Sequence, residues 1–221
     1  MALRTLFAGL ALTVLGAAAP SLGEKAPHAD TRPTRQWRFR VLLDGSEVGR
    51  HDFLLETEGS RKVLRSEATF QVKVLFLTAY QYRHEAVEVW DDRCLASIQS
   101  RTDDNGRVYE VRGAPDGDQF LVETGGVRRA APPCVSSFAY WNPEFLKQPR
   151  LLNSQTGDLM SVAVQPLGEE TFPVRGAATR AERYRLTASG LTIDLWYAPD
   201  GDWLGLESQL KGGRRLRYER L

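Results

Sequence analysis

The sequence is poor in the residues that carry covalent, redox and metal chemistry. Its 221 residues include only two cysteines, three histidines and two methionines. Cys94 and Cys134 do not form a Cys-x-x-Cys pair, and His28, His51 and His84 fall in three separate stretches, so there is neither a thiol redox motif nor a metal-ligand cluster. An excess of one charge is missing too. The 29 Lys and Arg are interleaved with 28 Asp and Glu, which leaves no basic stripe for nucleic acid. No cofactor-binding pattern is found: Gly125-Gly126 is not followed by a helical segment that would cradle a phosphate, and Asp103-Asp104-Asn105-Gly106 lacks the ligand spacing and terminal glutamate of a calcium loop.

A long apolar run is also absent. Residues 6–19 are apolar except for Gly9, Thr13 and Gly16, and fall short of the roughly 20 residues that a membrane helix needs. With Arg4 before them and small residues after, they have the layout of a secretory signal. Cleavage after Gly23 avoids placing Pro20 beside the cut, so residues 1–23 are expected to be a signal peptide and the mature chain to be exported, into the periplasm of a Gram-negative bacterium. Loss of Arg4 leaves basic and acidic residues in balance. Residues 24–36, rich in Pro, Lys, Arg and His, read as a flexible tether. In an oxidising compartment Cys94 and Cys134 are expected to form a disulfide.

Residues 37–221 then read as one antiparallel β domain. Trp37, Phe39, Val41 and Leu43 alternate with Arg38, Arg40 and Leu42 ahead of the hairpin signal Asp44-Gly45. Strands are expected at residues 48–57 and 62–74. In the next strand Tyr80, Tyr82, His84, Ala86, Glu88 and Trp90 share one face. Residues 74–79 suit a bent corner, a short helix or an apolar loop, with Leu75, Phe76 and Leu77 as a contact for an envelope protein partner. Further strands are expected at 94–102, 108–113, 119–124, 127–131, 158–165, 170–174, 177–186, 191–197, 203–210 and 214–218. Residues 132–157 break the rhythm as an irregular cover, in which Asn142 caps a short helix opened by Pro143. A sheet this long must curl to hide its apolar face, which gives an all-β fold: a strongly curved sheet or an open, half-closed barrel with a short helical or irregular cover.

The pieces Phe39-Arg40-Val41-Leu42-Leu43-Asp44-Gly45, Tyr82-Arg83-His84-Glu85, Tyr140-Trp141-Asn142, Leu152-Asn153-Ser154-Gln155-Thr156-Gly157 and Asp194-Leu195-Trp196-Tyr197 resemble the exported proteobacterial family called domain of unknown function 6134. That resemblance covers nearly all of the mature chain and implies no function. More remotely, the strand pattern looks like lipoprotein-carrier folds, which hold an apolar cavity in a curved sheet.

The candidate ligand site joins Tyr80, Tyr82 and His84 with Tyr140, Trp141, Asn142 and Asn153 of the cover. Aromatic rings would supply contact area, while amides and imidazole fix a polar head. The expected function is binding or carriage of an amphipathic or hydrophobic small molecule such as a lipid. A structural or envelope-assembly role is the first alternative. A hydrolase, with Ser136 or Ser137, His84 and Asp91 or Asp92, is the second; no nucleophile elbow supports it, and no residue is assigned as catalytic.

Overall fold

A computed structural model describes residues 34–74 and 77–221. The expected signal segment, most of the tether, His28, Leu75 and Phe76 lie outside the described residues. Strand β1 (Thr34–Leu43) begins three residues earlier than expected, so residues 34–36 are strand and not tether. Trp37, Phe39, Val41 and Leu43 are its buried face, as their alternation requires.

Up to the cover the chain is a meander of hairpins: β2 (Ser46–Glu58), β3 (Arg61–Val74), β4 (Leu77–Asp91), β5 (Cys94–Asp104), β6 (Arg107–Asp116), β7 (Gln119–Thr124) and β8 (Val127–Ala131). Of the residues expected to form a corner, a helix or a loop, Val74 ends β3 and Leu77 begins β4, and the two strands pair there with Val74 opposite Leu77 and Lys73 opposite Thr78. A second meander runs through β9 (Arg150–Leu152), β10 (Leu159–Val174), β11 (Ala177–Ala188), β12 (Leu191–Tyr197), β13 (Trp203–Gln209) and β14 (Arg215–Arg220). The two are joined where β1 pairs with β14, giving a single antiparallel sheet of 14 strands in the order β8 to β1, then β14 to β9. It is curled but not closed.

Strand β10 replaces the two strands expected at 158–165 and 170–174. Pro166 and Gly168 form a bulge, with the register against β11 shifting between them and Gly168 taking a φ of 92°. Beyond the bulge the β10–β11 hairpin packs Phe172 on the outward ring of Trp196, with centroids 4.6 Å apart. A Cβ at Gly205 would sit 2.7 Å from that Phe172 ring, so a glycine is required for the approach.

The cover between β8 and β9 fills one end of the curl. Asn142 accepts the Glu144 amide and caps the short 3-10 helix Pro143–Lys147, which buries Phe145. The expected Cys94–Cys134 disulfide is present, with Cα atoms 4.9 Å apart. Next to it the Leu95 amide donates to the Val135 carbonyl. The Leu152 amide donates to the Ser136 carbonyl, which fastens the cover to β9. Together these place Trp90, Trp141, Phe145, Leu151 and Trp203 in one buried cluster.

Candidate functional site

The two ends of the curl differ. Inward positions beside the cover, among them Trp37, Trp90, Leu95 and Trp203, are almost wholly buried. Toward the opposite end the register aligns Phe70 with Tyr82 and Val72 with Tyr80 on β3 and β4, and these outer inward positions are only half-buried except for Tyr82. Leu216, Leu191, Val162, Val164 and Tyr184 of the second meander are likewise half-buried while packed on the core. Strands β3 and β4 outrun their neighbours there: β2 stops pairing at Phe70 and β5 at Tyr82. The result is an open, apolar end walled by aromatic and aliphatic side chains.

Polar groups are set into that wall. Phe70 and Tyr82 stack at 5.1 Å, and Tyr82 lies 6.4 Å from the His84 ring. His84 Nδ1 is 2.8 Å from the Thr102 hydroxyl, and burial drops its pKa to about 4, so the imidazole is neutral at pH 7. Tyr80 donates to Asp104 Oδ1 at 2.6 Å. Its phenol is held above its ordinary pKa by burial first and by that bond second. Tyr140 packs on Trp203 at 5.2 Å, and its phenol is close enough to those of Tyr82 and Tyr218 to disfavour their ionisation, after burial, which is the larger cause.

The sequence-derived site is therefore divided. Tyr80, Tyr82 and His84 share one wall, and Tyr140 approaches them from the cover. Trp141 does not: it packs edge-on against Trp90 at 5.7 Å. Trp90 is eight strand positions from Tyr82, about 26 Å along β4. Asn142 is spent on its helix cap. Asn153 accepts the Gln155 amide at 2.8 Å and shapes the turn into β10. The hydrolase grouping is not assembled either, since Ser137 donates to Glu88 Oε2 at 2.9 Å while His84 is engaged with Thr102. Among the described residues no group of three potential ligands is placed to hold a metal ion.

Two further inward residues, His51 and Glu88, carry polar groups outside the candidate site expected from the sequence. His51 is in phase with Phe53 and Leu55 on β2, and that alternation was its signal; its ring stacks on Phe53 at 4.0 Å, and Nδ1 lies 3.1 Å from the Tyr218 hydroxyl. Glu88 stands on the same face as Trp90, whose indole N–H donates to it at 3.1 Å. Burial raises the Glu88 pKa to about 7 against the lowering effect of both hydrogen bonds.

Elsewhere, two depressions of about 400 and 330 Å3 lie over β6–β7 and β3–β6. Charged residues such as Arg65, Glu67, Glu85, Arg101 and Arg112 dominate the second, and neither is lined by Tyr82, His84 or Tyr140. No helix among the described residues is long and apolar enough to cross a membrane.

The fold is similar to a solved β-barrel-like protein of domain of unknown function DUF1849 from Brucella abortus, with a TM-score of 0.64, 7% identity, and coverage of 86% of this chain and 96% of that one. No curated protein matches the sequence. The profile of a domain of unknown function, DUF6134, matches residues 39–221, and this chain belongs to that family.

Proposed function

We propose that this chain is an exported envelope protein, working in the periplasm of a Gram-negative bacterium, that binds an amphipathic or hydrophobic small molecule such as a lipid in the open end of its curled sheet. One observation carries the reading: inward side chains are fully packed beside the cover, yet Phe70, Val72, Tyr80, Leu191 and Leu216 at the other end remain half-exposed although they face inward. An apolar wall open to water is stabilised when an apolar ligand covers it, by about 25 cal/mol for each Å2 removed from solvent. The disulfide and the signal-like amino terminus support the exported setting. Native mass spectrometry of protein purified from its own envelope, followed by organic extraction, tests the proposal. A co-purifying hydrophobe supports it. Ligand-free protein that also fails to take up added lipid overturns it.

A second reading, contact with an envelope protein partner, rests on Leu77 at the tip of the β3–β4 hairpin, which is 75% exposed. Cross-linking from position 77 in intact cells would identify such a partner.

A further inference from the structure

Strands alternate in direction across the sheet, so the turns from β1 to β2, β3 to β4, β5 to β6, β7 to β8 and β13 to β14 all lie toward the open end. Most of the charge there is paired within the protein. Asp44 holds Arg214 at 2.9 Å, Glu207 holds Arg215 at 3.7 Å and Glu123 holds Arg128 at 3.0 Å. Glu47 and Lys73 are exposed and out of phase with the inward Val48 and Val72, so they face away from the curl.

Asp104 and Arg107 are different. Asp104 ends β5 directly opposite Tyr82 and two residues after the buried Thr102, which places it in the inner wall. Arg107 opens β6 opposite Asp104 and shares that face. An acid and a base facing each other on adjacent strands have β-carbons about 5 Å apart and ordinarily pair. Here they do not. Asp104 turns Oδ1 to the Tyr80 phenol, which is neutral, and Arg107 lays its guanidinium over the Tyr109 ring, 4.9 Å from the centroid. Among the described residues no cation is paired with Asp104 and no carboxylate with Arg107. Asp104 is half-buried and Arg107 exposed, so both are within reach of a molecule seated at the opening.

We infer that the ligand of the open end is a zwitterionic amphiphile, its ammonium received by Asp104 and its phosphate by Arg107, with its chain along the Phe70, Val72 and Tyr80 wall. This rests on the lipid-binding reading above. An uncharged head seated here would strip water from both side chains and put nothing in its place. A cationic head would gain Asp104 but be repelled by Arg107, and an anionic head the reverse. An ammonium and a phosphate joined by a two-carbon link satisfy both at once. The guanidinium offers a fork of N–H donors that fits phosphate oxygens, and Asp104 Oδ2 has no partner among the described residues.

Four C12 amphiphiles separate this inference from the reading it rests on, each kept below its micelle-forming concentration and titrated at pH 7.5 into the purified full chain. Dodecylphosphocholine carries both charges, dodecyltrimethylammonium the ammonium alone, dodecyl phosphate the phosphate alone, and dodecyl maltoside neither. With each charge pair worth about three- to fivefold, dodecylphosphocholine is expected to bind at least about 10-fold more tightly than any of the others. Asp104→Asn should weaken dodecylphosphocholine about fivefold and strengthen dodecyl phosphate. Arg107→Gln should weaken it as much and strengthen dodecyltrimethylammonium. A singly charged or uncharged probe that binds as tightly as dodecylphosphocholine overturns the zwitterionic-head inference and leaves binding of a hydrophobe standing. An unchanged preference in both variants removes Asp104 and Arg107 from the role. Failure of all four probes to bind overturns both readings, and the ranking in the unmodified protein does not depend on any variant folding.

Discussion

Ser137 of the cover donates its hydroxyl proton to Glu88 Oε2 on β4 over 2.9 Å, and the indole of Trp90 donates to the same oxygen. A buried carboxyl with a pKa near 7 thus lies at the junction between the irregular segment and the sheet.

That junction makes stability depend on pH. The folded pKa of Glu88 lies above its ordinary 4.5, so its contribution is full below pH 4.5 and is lost as pH rises toward 7. Glu88→Gln keeps an acceptor for Ser137 and Trp90 and cannot ionise. The variant should match the parent near pH 4.5 and exceed it by up to about 3 kcal/mol at pH 8. Urea unfolding at the two pH values measures this, and a difference independent of pH would contradict it.

His84 acts in the opposite direction. Its folded pKa of about 4 is below the ordinary 6.5, so its contribution is present above pH 6.5 and is lost as pH falls toward 4. His84→Phe should flatten the stability curve by about 3 kcal/mol across that window, at the cost of an unpartnered Thr102 hydroxyl at every pH. The comparison is again made by urea unfolding, at pH 7 and pH 4.5.

The disulfide closes a separation of 40 residues and ties the start of the cover to β5. By loop entropy it is worth about 4 kcal/mol, so Cys94→Ser with Cys134→Ser should melt well below the oxidised protein. Hydrogen exchange should show early loss of protection at Leu95 and Leu152, whose amides bond to the cover.

Gly205→Ala should cost about 1–3 kcal/mol, because the new methyl group meets the Phe172 ring and the Tyr218 carbonyl, each at 2.7 Å. Calorimetry of this variant and of Gly205→Ala with Phe172→Leu would show partial rescue if the ring is the obstacle.

Alternation made the walls legible in the sequence. Trp37 to Leu43 and Tyr82 to Trp90 announce their inward faces because strand side chains repeat every two residues, and Asn142-Pro143 announces its helix through capping chemistry. Long-range placement was not legible. Nothing near Trp141 or Asn153 states which end of the curl the cover fills, so residues adjacent to Tyr140 in sequence were grouped with it although they serve other ends. The strands expected at 158–165 and 170–174 are a single strand, because the chain at Pro166 and Gly168 continues through a bulge without turning back. His51 was in phase with its neighbours, but the Tyr218 hydroxyl that meets its ring is a property of the packing and not of the pattern.

The pairing of β1 with β14 also has a kinetic meaning. Every other strand pairing in the sheet joins consecutive strands, whereas Phe39 and Arg220 meet across about 180 residues, whose ends must be brought together against chain entropy. The two meanders can each assemble from local hairpins, but the seam between them has by far the longest contact order and sets the pace of folding. Until that seam closes, β1 and β14 each present an unpaired edge, which makes the half-assembled chain the form most exposed to aggregation.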